Sequence, residues 1–271
     1  MSVSLWTGTV LRLGACCRTA LRLLTRRGTD RIDYHELQQT ILDRLLARRG
    51  YDAGMLRYVG TGCEAMGEAE KNVLVHFGLH RDSYLIDVGC GAGRLGTALA
   101  GFLKGGYLGL DILDPVLRYA EDRCRAAGCP PTWRFRHISS GRIPEHDATV
   151  DMVCFFSVFT HILHQDCFDY LKEAKRVLRT GGKIVFSFLE YGAHWDVFLD
   201  SFTFRGPGQL TVFFHGDDIR TWSEHLGLRV EAILTGPDIR LDSESHGEPG
   251  LSGGPSQIVP LGQSLAVLAL D

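Results

Sequence analysis

From Tyr84 onward the chain alternates between short apolar runs and longer stretches in which apolar residues return every three or four positions. The runs YLIDV (84–88), YLGLDI (107–112), WRFRHI (133–138), VDMVCFF (150–156) and KIVFSFL (183–189) predict strands. They are short, rich in β-branched and aromatic residues, and bounded by Gly, Asp or Pro. Helices are expected from Arg94, from Asp114 and Pro115 as cap and first residue, over Gln165 to Leu178 with Thr180, Gly181 and Gly182 as the stop, and near Asp217 to Leu226. LRVEAIL (228–234) and SLAVLALD (264–271) read as two final strands. The Gly- and Ser-rich DSESHGEPGLSGGPS between them reads as a mobile surface loop, and the aromatic-rich stretch with Tyr191, Trp195, Phe198, Phe202 and Phe204 as a connection. Strands alternating with helices imply right-handed βαβ units, hence an α/β Rossmann-like fold with a mostly parallel sheet and helices on both faces. Ligands of such sheets bind beyond the carboxyl ends of the strands.

Ahead of this region lie two other textures. Residues 29–83 predict a helical extension, with one helix over Arg31 to Arg49 (Leu37, Ile41, Leu45 and Leu46 on one face, ended by Gly50) and another over Cys63 to Phe77. Residues 1–28 form a basic amphipathic arm. Trp6, Val10, Leu13, Cys17, Leu21 and Leu24 recur at helical spacing, and the segment has five arginines and no acid. Such an arm suits peripheral contact with an anionic membrane, packing of its stripe on the main domain, or an organelle transit peptide.

The formal charge of the whole 271-residue chain is only −3, so the part beyond the arm is net acidic, which speaks against a dedicated nucleic-acid binder. Eight cysteines occur without a C-x-x-C pair or zinc-finger spacing, so reduced thiols in a cytoplasmic setting are expected. No apolar run approaches the ~20 residues that span a bilayer.

The glycines of LIDVGCGAGRLG (85–96) admit two frames. Gly91, Gly93 and Gly96 spell G-x-G-x-x-G, the dinucleotide fingerprint, while Asp87 with Gly89, Gly91 and Gly93 spells D-x-G-x-G-x-G. A pyrophosphate needs donors and positive potential, and Asp87 at the strand end supplies negative charge; a ligand bearing an ammonium or a sulfonium fits it better. Asp111 ends the next strand, where a carboxylate accepts from both ribose hydroxyls, a feature shared by dinucleotide and S-adenosylmethionine sites.

Together these residues resemble the class I S-adenosylmethionine-dependent methyltransferases. LIDVGCGAGRLG is similar to their first motif, GYLGLDI to their acidic ribose motif, VDMVCFFSVFTHI to their fourth-strand motif, and EAKRVLRTGGKIVFSF to the segment leading into the fifth strand. The resemblance covers about Tyr84 to Leu189. It implies a seven-stranded sheet with an antiparallel last strand, a methyltransferase domain over 84–271, and S-adenosyl-L-methionine as cofactor. It further implies that Asp87 lies near the donor's amino group, that Gly89, Gly91 and Gly93 let the backbone approach the methionine portion, that Asp111 holds the ribose, that Ile112 lies against adenine, and that Ser157 lines the donor site. Ser139 stands where many members carry an acid that reads the adenine amino group.

Methyl transfer needs collinear nucleophile and methyl group and the exclusion of water, and a base only where the acceptor must lose a proton. Thr160 and His161 follow the fourth strand, and His161 is the candidate catalytic base, with backbone hydrogen bonding or substrate orientation as its other reading. Glu190, Tyr191 and His194, past the fifth strand, are candidates for the acceptor pocket. His161 and His164 have no convergent carboxylates beside them, so no metal is expected. FFSVFTHI lacks the Asn/Asp-Pro-Pro-aromatic motif of amino-methylating nucleic-acid enzymes, and there is no Pro-Cys nucleophile motif, so nucleic acid is not expected as a partner. The expected acceptor is a hydroxyl or carboxyl of a small molecule, sugar or lipid-linked glycan. A non-catalytic donor-binding module or partner subunit, and an NAD-dependent oxidoreductase, remain alternatives.

Overall fold

The computed structural model describes residues 32–58, 63–139, 141–202, 210–241 and 257–271. The basic arm, the end of the aromatic connection and the Gly- and Ser-rich loop lie outside the described residues.

The elements run α1 (Tyr34–Arg49), α2 (Tyr51–Tyr58), α3 (Cys63–His76), β1 (Tyr84–Val88), α4 (Arg94–Leu99), β2 (Gly106–Asp111), α5 (Asp114–Ala126), β3 (Arg134–His137), β4 (Val150–Phe155), a single 3-10 turn (Phe159–His161), α6 (His164–Val177), β5 (Leu178–Glu190), α7 (Trp195–Phe202), β6 (Phe213–Phe214), α8 (Gly216–Leu226), β7 (Arg229–Leu234), β8 (Asp238–Leu241), β9 (Gln257–Pro260) and β10 (Ser264–Ala269). The sheet order is β3-β2-β1-β4-β5-β10-β7, with β6 paired in parallel to the end of β5. β10 is antiparallel to both β5 and β7, and the other pairings within this sheet are parallel, as the resemblance implies.

The strands bury both faces because alternate residues serve opposite layers. Ile86, Val88, Ala266 and Leu268 join the layer under α6 and α8, and Leu85, Leu265 and Val267 join the one under α3 and α4. Asp87 shares the face of Leu85. It is therefore a carboxylate on a core-facing position, which only a ligand or a hydrogen-bond network makes tolerable.

Three details differ from the sequence expectation. Asp114 is the first residue of α5 and not its cap; Leu113 holds the cap position in extended backbone, and the helix gains Pro115 in its first turn instead of a side-chain cap bond. α6 ends at Val177 and β5 begins at the next residue, while Arg179 to Gly182 bulge out, so that Val150 pairs with Leu178 but Met152 with Lys183. Gly50 does end α1, yet α2 starts at once after it, and α7 and the β8–β9 hairpin fill stretches without a clean sequence period.

Candidate functional site

Strand order reverses between β1 and β4, and at the carboxyl ends of β1, β2 and β4 lies a cavity of about 610 Å³. Asp87, Gly89, Gly91, Asp111, Ile112, Ser157 and His161, all expected from the sequence, line it. Gly93 stands just outside the lining. Its left-handed backbone (φ 75°) starts α4, and a Cβ there would meet Ala120 at 3.1 Å. Ser139 is exposed and absent from the lining, and its neighbour Ile138 faces the cavity instead.

The loop's own hydrogen bonds decide between the two glycine frames. The Gly89 and Cys90 N–H groups donate to the Leu110 carbonyl (2.7 and 2.9 Å), that of Gly93 to Cys90 (3.0 Å), and that of Gly91 to Asp111 Oδ2 (3.0 Å). Four amides that a phosphate cradle would need are thus directed inward, one of them at a carboxylate. Asp111 Oδ1 accepts a second backbone N–H, from Leu113 at 3.0 Å, which fixes the carboxylate's plane at the cavity wall. Gly89 is required by closeness: with φ 73°, a Cβ would fall 2.4 Å from Val158 Cγ2, so only glycine lets β1 and β4 end side by side.

Asp87 is 3% exposed and accepts from the Tyr107 hydroxyl at 2.7 Å, with the Cys154 thiol 3.7 Å from its other oxygen. Burial pushes its carboxyl up to about 6, against the lowering influence of Tyr107 and Arg94. Burial raises Asp111 as well. Two buried carboxylates at adjoining strand ends form a pocket that rewards a cation and a ribose, which is the chemistry of S-adenosylmethionine.

On the other wall only Ser157 and His161 were expected from the sequence. α3 contributes Glu70, 1% exposed, whose oxygens meet Arg94 Nη2 at 2.5 Å and Nε at 3.1 Å. Burial pushes the Glu70 carboxyl up to about 7 even beside this guanidinium. Arg94 Nη2 also reaches Ser157 Oγ (3.4 Å), which accepts from Gln263 Nε2 (3.1 Å); Gln263 Oε1 in turn accepts from Ser187 Oγ (2.7 Å). Ser157 is one of two non-glycine residues of positive φ among the described residues (58°), and its N–H is held by Ser187 Oγ at 2.7 Å. α1 and α2 add Tyr34, Gln38, Ile41, Leu45 and Tyr58 to the lining. A signal for Glu70 did exist: it occupies the stripe Met66, Glu70, Val73, Phe77, where helical spacing otherwise places apolar residues.

His161 sits in the 3-10 turn after β4, and its Nδ1 lies 2.8 Å from the Leu210 carbonyl. A carbonyl only accepts, so Nδ1 carries the proton and Nε2 the lone pair. Burial lowers its pKa, which keeps the ring neutral. Thr160 is buried and its hydroxyl donates to the Ser157 carbonyl (3.2 Å). His164 packs on Phe214 and Trp222, away from the lining. Glu190, Tyr191 and His194 do not line the cavity: Tyr191 is exposed beside Phe198 and Phe213, and His194 Nδ1 meets the Glu190 backbone. The buried cysteines 90, 124, 129, 154 and 167 are free thiols. Among the described residues no cluster of ligating side chains fits a metal ion, and no helix is long and apolar enough to cross a membrane.

Comparison with known proteins agrees with this geometry. Residues 85–182 match a family model described as a methyltransferase domain. A ubiquinone biosynthesis O-methyltransferase from Methylococcus capsulatus is 33% identical over 107 residues, a match spanning 38% of this chain and 42% of that relative's length. Among solved structures, an S-adenosylmethionine-dependent methyltransferase from Aquifex aeolicus aligns over 80% of this chain and 98% of its own, with 18% identity and a TM-score of 0.55. Magnesium protoporphyrin IX methyltransferase from Synechocystis PCC 6803 aligns over 88% and 96%, with 13% identity and a TM-score of 0.58. At such identities the two structures speak for the fold.

Proposed function

We propose that this chain, whose residues 85–182 match a methyltransferase domain, is a class I S-adenosylmethionine-dependent methyltransferase that methylates an oxygen of a small-molecule acceptor, a hydroxyl or carboxyl of a metabolite, sugar or lipid-linked glycan. The observation that supports the reading best is the meeting of Asp87, Asp111 and a neutral His161 around one cavity. Asp87 and the glycine backbone hold the donor's amino-acid portion, Asp111 its ribose, and Ile112 its adenine face, with Ser157 beside them. When bound, S-adenosylmethionine supplies a methyl group on a sulfonium sulfur. The protein's part is then to hold the acceptor in line, to keep water out and to take one proton.

In this reading His161 takes that proton through Nε2. The Leu210 carbonyl fixes its tautomer, and burial keeps it unprotonated at neutral pH. The apolar residues Ile41, Leu45, Ile162 and Tyr170 suit an acceptor with a hydrophobic body, which Tyr34 and Gln38 can orient.

The reading is tested by incubating the protein with isotopically methyl-labelled donor and panels of phenols, sugars and carboxylic acids, followed by mass spectrometry. Label on an oxygen is the expected result. Label found only on nitrogen, or only on nucleic acid, overturns it.

A further inference from the structure

Gly96 completes G-x-G-x-x-G, yet neither it nor the tyrosine it faces lines the cavity. A Cβ on Gly96 would lie 3.1 Å from the Tyr107 hydroxyl and 2.7 Å from Cys124 Sγ, so the missing side chain leaves room for the phenol. Gly109 clears the ring in the same way. It pairs with Asp87 across the β1–β2 ladder, and a Cβ there would meet Tyr107 Cε1 at 3.1 Å. Tyr107 shares the face of Gly109 on β2, and it leans along the strand into the space that a side chain at 109 would fill. Its hydroxyl thereby reaches Asp87 Oδ2 at 2.7 Å. Trp133 stacks on the ring at 4.5 Å and 24°, and Phe135 packs against it at 5.6 Å. Tyr107 is 1% exposed, a depth at which a hydroxyl needs a partner.

Burial and the charge of Asp87 push the phenol well above its ordinary pKa, so it keeps its proton and donates to a carboxylate that only accepts. Burial raises Asp87 to about 6, and the hydrogen bond from Tyr107 is the strongest influence against that rise, ahead of Arg94 on α4 and the Cys154 thiol on β4. Asp111 at the end of β2 and Glu70 on α3 act the other way, as like charges. The thiols of Cys90 and Cys124 also face Asp87, and burial above all keeps them protonated.

We propose that Tyr107 is a positioning residue of the donor site: its hydroxyl, admitted by Gly96 and Gly109, orients the Asp87 carboxylate toward the donor's ammonium. The proposal rests on the reading of Asp87 as the seat of that ammonium. A phenol's hydrogen bond stabilises the ionised carboxylate more than the protonated one, so donor binding in mild acid depends on it. The third glycine of G-x-G-x-x-G thus serves the aspartate of D-x-G-x-G-x-G, and the two frames describe one site.

The test is the affinity of the full chain for S-adenosylhomocysteine, which carries the same ammonium, by calorimetry from about pH 5 to about pH 8. Tyr107→Phe keeps the ring and its stacking and removes only the hydrogen-bond donor. Its binding should be about five- to tenfold weaker than that of the unaltered protein between about pH 5 and pH 6, and should converge with it by about pH 8, as the midpoint of the pH profile moves up by about one pH unit. Replacing Tyr107 by 3-fluorotyrosine, a more acidic phenol of nearly the same size, should move the midpoint down. Weakening by the same factor at every pH, or a midpoint that neither variant moves, overturns the proposal and leaves the donor reading of Asp87 standing. Absence of binding by the unaltered protein across the whole range overturns that reading, and the proposal with it.

Discussion

The two walls of the cavity differ in how they are encoded. The wall proposed for the donor comes from one contiguous stretch, Asp87 to Ile112, in which both carboxylates stand at strand ends and the turn between binds Asp111. The opposite wall is assembled from α1, α2, α3, the turn after β4, and the approach to β10, through contacts between residues far apart in sequence such as Tyr34 with Asp166, Glu70 with Arg94, and Gln263 with Ser157. The first wall is a property of a motif; the second is a property of packing. A fold family can keep the first while changing the second, which is how one donor site serves many acceptors.

If the walls are separable in this way, damage to them should also separate. The largest effect is expected at His161. His161→Ala should reduce methyl transfer to the acceptor found for the protein by about 10²–10⁴-fold while leaving the thermal melting temperature within a degree or two (~2 °C). A loss below about tenfold would make His161 a residue that orients substrate and not a base.

A smaller effect concerns pH. Glu70 is raised from 4.5 to about 7 and Asp87 from 3.8 to about 6, both chiefly by burial. Between pH 4.5 and 7 the folded state therefore holds protons that the unfolded chain has released, and these two groups make stability fall as pH rises through that window. A cationic donor favours the ionised carboxylates. Its affinity should strengthen about tenfold from about pH 5 to about pH 8, with proton release detectable by calorimetry in buffers of different ionisation enthalpy. Affinity that is flat over this range would remove Glu70 and Asp87 from the charge balance of binding.

The same contrast explains what the sequence disclosed. The strands were legible because each is a short apolar run with a polar stop, and Tyr84–Val88 matches its sequence reading residue for residue. Asp87 and Asp111 were legible because the physics of a strand-end carboxylate is local. Glu70, Arg94, Gln263 and Tyr34 were not, since each acquires its role only when an element distant in sequence packs against it. Glu190, Tyr191 and His194 show the converse error: a position just past a central strand points to the site only if the following chain turns inward, and here it turns outward into α7. α7 itself had a readable period in Trp195, Phe198 and Phe202, masked by residues that favour strands as readily as helices.

The most direct measurement is the affinity of S-adenosylhomocysteine, by calorimetry at one pH, for the unaltered protein, Asp111→Asn and His161→Ala. On the proposed role of Asp111, Asp111→Asn loses charge-assisted hydrogen bonding to the ribose hydroxyls and should bind about 100-fold more weakly, a total loss of about 2.7 kcal/mol. His161→Ala should bind within about twofold of the unaltered protein if His161 serves the acceptor, as proposed, and not the donor. Equal weakening in both variants, or tight binding that Asp111→Asn leaves intact, would contradict a donor site built from the ends of β1 and β2 alone.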